Sequence, residues 1–115
     1  MNRIEIVTTT SYGAKSATIA FIEGIGGPEC VKVARLNTKG GVPYDNVPSK
    51  EWPLVLECIS AKEGLEEVEV CIFMLTSGYG GAGSHDLADI LKYAGFKFFE
   101  SDVYNKEFDH ELWTK

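Results

Sequence analysis

The sequence predicts a single mixed α/β domain over residues 1–115, with elements in the order β-β-β-α-β-α-β-α. Three observations carry this expectation. The segments 3–9 and 30–36 are rich in β-branched residues and alternate apolar with polar side chains. Short glycine-bearing breaks separate the first three apolar segments, and short connections favour an antiparallel meander. The later strand-like segments are joined through stretches of helical periodicity, which favours parallel pairing with right-handed crossovers. A chain of 115 residues has room for one real core.

Taken in order, "RIEIVTT" at 3–9 reads as the first strand, and "SYGAK" ends it. "SATIAFIE" at 16–23 is apolar on both faces and reads as a central strand, closed by the turn signal "GIGGPE". "CVKVARL" at 30–36 sets Val31 and Val33 against Lys32 and Arg35, a third strand. "NTKGGVPYDNVP" at 37–48 is the one long loop. Ser49 is placed to cap a helix over 50–62, with Pro53 in its first turn. Trp52, Val55, Leu56 and Ile59 form the apolar face of that helix, and Gly64 ends it. "EEVEVCIFML" at 66–75 begins alternating and becomes continuously apolar, as a strand covered on both faces does. Ser84 is expected to cap a helix at 85–94, with Leu87, Ile90, Leu91 and Ala94 as its stripe and Gly95 as its stop. "FKFFES" at 96–101 reads as a fifth strand. Asp102 is placed to cap a last short helix in which Tyr104, Phe108 and Leu112 share a face near Trp113.

The composition narrows the function classes. Seventeen acids against eleven bases give a net charge of -6. The excess lies in 50–70 (six acids, two bases) and 99–115 (five acids, two bases). Direct nucleic-acid binding is not expected, because that needs a basic stripe to displace counterions from phosphates. Solvated acidic faces or a basic protein partner suit the charge. Cys30, Cys58 and Cys71 lack zinc-ligand spacing and sit among apolar residues, so they read as buried free thiols of a cytoplasmic protein. "VCIFML" is too short to span a bilayer, and the N-terminus has no apolar run of signal-peptide length.

The glycine segment "GYGGAG" is the most conspicuous local motif. Gly78, Gly80 and Gly83 satisfy G-x-G-x-x-G between an expected strand and an expected helix. Two readings are open. One is a strand-to-helix turn that needs positive φ and close packing. The other is a phosphate cradle of backbone N–H groups over Gly78, Tyr79, Gly80, Gly81, Gly83 and Ser84, with His85 beside it. Asp102 lies 24 residues beyond Gly78, and "GYGGAGSHDLADILKYAGFKFFESD" resembles the first β-α-β of a dinucleotide-binding Rossmann domain. Lys15, in the hydroxyl-rich "TTTSYGAKS", would join this site if the first and fourth strands were neighbours.

The element order, with "IEIVTTTS" as a first strand and "SKEWPLVLECISAKEGLEEVEVCIFMLTSGYG" as first helix and fourth strand, resembles the ribonuclease H-like fold. That resemblance implies carboxylates holding two metals. Thr9 stands where its first Asp belongs and Thr76 or Ser77 where its fourth-strand Asp belongs; Glu51 alone matches. It therefore implies a non-catalytic relative without a metal, or an independent arrival at a common topology. No nucleophile triad, Walker A or zincin motif is present. "EE" at 66–67 reads as solvated.

The reading that results is a non-enzymatic acidic binding protein with a macromolecular partner and no catalytic residue, metal or cofactor. An inhibitor of a nucleic-acid-handling system, of the small acidic phage-encoded type, is its narrower form. Tyr104, Phe108 and Trp113, among acids, are the candidate partner anchors, against core packing as the alternative. The other class is a binder of a nucleotide or other phosphorylated molecule at 78–84.

Overall fold

The computed structural model describes residues 2–39, 52–61, 66–78 and 80–115. The expected cap Ser49, the helix stop Gly64, the matched Glu51, Tyr79 and the loop beyond residue 39 lie outside them. The described chain is a single mixed α/β domain, with five strands in one sheet and three helices.

Strand β1 is Asn2–Ile6 and helix α1 is Ser11–Ile25. A 3₁₀ turn, Pro28–Cys30, leads into β2, Val31–Leu36. Strands β3, Leu54–Ile59, and β4, Glu67–Ile72, follow. Helix α2 is Ala82–Tyr93, helix α3 is Glu100–Asn105, and β5 is Glu111–Thr114. The sheet order is β1-β4-β3-β2-β5. Among the described strands only β1 and β4 pair in parallel; the other three pairs are antiparallel.

This order corrects the expected one. Residues 16–23 belong to α1. Thr10 caps the helix by accepting from the Gly13 N–H at 3.0 Å. Ala14, Thr18, Ile22 and Ile25 are its buried residues, a helical period that apolar content on both sides had disguised. Gly26, at φ 132, ends the helix, and the Gly27 N–H reaches back to the Ile22 carbonyl at 2.9 Å. Residues 54–59 form a strand in place of the expected helix. Leu54, Leu56 and Cys58 enter the main core while Val55, Glu57 and Ile59 face the other way. Because Val55 packs beside Trp52 on that second face, the segment is apolar on both sides and imitates a broad helical stripe.

The N-terminal meander is absent, since β1 touches β4 and β2 lies between β3 and β5. A bulge between Val31 and Val33 also separates those two residues, so that Val31 and Ala34 both enter the core. Residues 96–101 alternate, with Phe96 buried and Phe98 packed on the core, yet they form no strand. The sheet edge beside β2 is taken by β5 instead. The last expected helix divides into α3, whose N-cap is Phe99 rather than Asp102, and β5. The order behind the ribonuclease H-like expectation is thus replaced.

Both long helices lie on one face of the sheet. Leu87, Ala88, Ile90 and Leu91 of α2 and Ala14, Ile22 and Ile25 of α1 meet Ile6, Leu36, Leu56, Val70 and Ile72 in one core. Each fully buried Leu or Ile there contributes about 1.5–3 kcal/mol of transfer free energy. A smaller cluster, Trp52, Cys71 and Phe73 with Val55 and Met74, lies on the opposite face. The C-terminal half of β4 is therefore covered on both sides, as its apolar run predicts.

Candidate functional site

Two places are built by more than one element. The first is the end of the sheet where β1 and β4, parallel neighbours, each run into a helix. The condition that would bring "TTTSYGAKS" beside the glycine loop is met. Lys15, however, bridges the two helices, reaching Asp89 at 3.0 Å and Asp86 at 3.3 Å. The Asp89 bond, then Asp86, raises the ammonium pKa against the burial that lowers it. Ser11 donates to the same Asp86 at 2.5 Å. These side chains join α1 to α2 through a carboxylate that is only 6% exposed.

The glycines differ in what they do. At Gly78, φ is 90 and a Cβ would meet Glu107 Cγ at 2.9 Å. A Cβ on Gly83 would meet Thr76 Cγ2 at 2.6 Å, so Gly83 lets α2 approach the end of β4. A Cβ on Gly80 would stand in open space. Gly81, not Ser84, is the N-cap of α2, and no side chain caps it. Ser84 lies inside the first turn with its hydroxyl buried and unpartnered. His85 is exposed and turned to α3, where its Nδ1 meets the Tyr104 hydroxyl at 2.9 Å.

The expected partner anchors are mostly interior. Phe108 is buried, with its N–H donating to Thr38 Oγ1 at 2.9 Å. Trp113 packs on Phe108, Phe98 and Phe96. Tyr104, half-buried, packs against the main core. Leu112 does not share their face: it is 59% exposed and points from β5 to the side away from the helices.

That side holds the second place, a groove of about 320 Å³. It crosses every strand, taking Arg3 from β1, Glu69 from β4, Val55 from β3, Arg35 from β2 and Leu112 from β5. The register explains the arrangement. Arg3, Glu69 and Glu57 stand in one row across the sheet, and Cys71, Val55, Arg35 and Leu112 in the next. Glu69 is shared by two guanidinium groups, Arg35 Nη2 at 2.7 Å and Arg3 Nε at 3.9 Å. Arg35 also meets Glu57 at 3.5 Å, and Arg3 meets Glu5 at 3.4 Å. Arg3 lies over the Trp52 ring at 5.7 Å, and Phe73 meets that ring edge-on. His110, at φ 52, stands at the rim.

Sequence reasoning missed this groove. Its signal was the period-2 placement of Arg3 and Glu5, of Glu67 and Glu69, and of Arg35, opposite buried apolar residues. Among the described residues, no three His, Cys, Asp or Glu side chains are grouped to hold a metal ion, and no helix is long and apolar enough to cross a membrane. All three cysteines are free and buried. No protein-family model, curated protein or solved structure matches the chain.

Proposed function

We propose that the protein is a non-enzymatic binding domain that engages a protein partner through the open face of its sheet. The observation that supports this reading is the groove across all five strands, on the face opposite α1 and α2. It combines half-exposed arginines with an exposed leucine and a fixed tryptophan, the residue types that dominate recognition surfaces. The buried thiols fit a reducing, cytoplasmic setting.

A second reading keeps a nucleotide or other phosphorylated ligand at the glycine loop. It is favoured by the adjacency of β1 and β4, which sets the starts of α1 and α2 side by side, and by the unpartnered Ser84 hydroxyl.

Native mass spectrometry of the chain purified gently from its own host separates the two. The first reading expects an added protein mass that is lost in Leu112→Asp and kept in Gly80→Val. The second expects an added mass of small-molecule size with the opposite pattern, since a Cβ at Gly80 stands in open space where a ligand would lie. A bare chain in every sample overturns both.

A further inference from the structure

We infer that β1 is a docking edge for a second copy of this chain, the two β1 strands pairing antiparallel about Ile4 and joining two five-stranded sheets into one. The edge is separate from the glycine loop and from Leu112, and neither reading above depends on it.

β1 is an end strand of the sheet, and among the described residues only β4 pairs with it. The Ile6 carbonyl accepts from the Phe73 N–H at 3.0 Å, so the backbone groups of Ile6 point to β4. Backbone N–H and C=O groups change sides from one strand residue to the next. Those of Arg3 and Glu5 therefore point away from β4, toward the open edge. Native sheets commonly blunt such an edge with lysine, proline or a bulge. β1 holds no lysine or proline, and its register against β4 runs unbroken from Asn2 to Ile6.

A copy of the same strand fits this edge. With Ile4 opposite Ile4, Arg3 faces Glu5 of the second copy and Glu5 faces its Arg3. These are the outward-pointing residues, so each such pair exchanges both of its N–H to carbonyl bonds. Ile4 then takes the closer position between them, where side chains meet. It is half-buried against the core, and the second Ile4 would cover it further. Arg3 and Glu5 already meet at 3.4 Å within one strand. In this register each keeps that neighbour and gains an opposite charge across the edge. The joined strands carry as many arginines as glutamates, although the whole chain carries -6.

The helix above has a flank to match. Lys15 and Glu23 of α1 reach Asp89 and Tyr93 of α2, which marks the side turned toward α2. Ala17, Ala20 and Gly24 follow the helical period on the other side, and all three are exposed. A Cβ on Gly24 would meet no described atom within 4 Å. Helix α1 packs on β1 and β4. At about 4.8 Å between strands, the α1 helices of the two copies would lie about 10 Å apart, the separation at which helices pack. Small side chains on that flank leave room for the approach.

The test is sedimentation velocity of the full chain over a concentration series. The expected species is a dimer of about 25 kDa, twice the 12.6 kDa chain. Leu112→Asp should leave it intact, which separates it from any partner on the open face. Arg3→Glu and Glu5→Arg each set like charges opposite one another and should raise the dimer Kd about tenfold or more. Mixed in equal amounts, these two variants should regain most of that loss, because each supplies the charge the other lacks. Glu5→Pro removes an outward N–H that β4 does not use, so it should fold by circular dichroism and stay monomeric. Arg3 also meets Glu69 and Trp52, so if Arg3→Glu does not fold, Glu5→Pro and Glu5→Arg provide the readout. A single-chain mass up to about 1 mM, a dimer indifferent to Glu5→Pro, or folded charge variants that do not recover on mixing would overturn the inference.

Discussion

Ser84 carries a hydroxyl into the interior with nothing to bond. An unmet buried hydroxyl costs about 1–3 kcal/mol, so Ser84→Ala should stabilise the fold by about 1 kcal/mol, read as a higher urea midpoint with an unchanged slope. The glycines around it should divide in the same assay. Gly83→Ala drives a methyl into the buried Thr76 and should destabilise by about 1–3 kcal/mol. Gly80→Ala meets nothing and should stay within about 0.5 kcal/mol of the parent. A motif that looks uniform in sequence is therefore made of one spacer, one positive-φ turn and one open position. Cys58 shows a related effect of burial, which pushes its thiol up to about 12 and makes it a poor nucleophile at neutral pH.

At the scale of elements, α1 depends on local signals that are easily overlooked. Thr10→Ala removes its cap and should cost about 1 kcal/mol in equilibrium unfolding. How much of the fold was legible follows from such cases. The alternation in β1, β2 and β4 was readable because polar residues mark the open face. The start of α2 was readable from the glycines, within a few residues. α1 and β3 were exchanged for each other in kind, because both are apolar on two sides and periodicity cannot then distinguish them. Strand neighbours were not legible, since β1 finds its partner far along the chain. The loop residues of the glycine motif were visible as candidates. The groove was not, because its parts come from five separate strands and only the register assembles them.

Over the whole molecule, the C-terminal segment closes both the core and the sheet edge. Phe108 fills the core and β5 covers the edge of β2, so a chain ending at Glu107 should lose cooperative unfolding altogether, as seen by calorimetry. The same segment should respond first to acid. The Trp113 indole N–H, then Lys106, hold Glu111 below its ordinary pKa, and His110, then Lys39, do the same for Asp109. Lowered carboxylates contribute fully above their unfolded values, 4.5 and 3.8, and lose that contribution as pH falls through the lowered ones. The Trp113 indole proton resonance should therefore move as the pH falls below 4.5 and Glu111 protonates, before global unfolding.

Among the described residues strand β1 pairs with β4 alone, and Val68, the partner of Asn2, is 66 positions away. Of those residues, none nearer in the chain pairs with it. A chain leaving the ribosome makes this strand before its partner and must hold it open while β2 and β3 are being made. The central antiparallel strands can assemble among themselves in the meantime. β1 is made before β4 and can dock only once β4 exists, so closing that one long loop should slow complete folding.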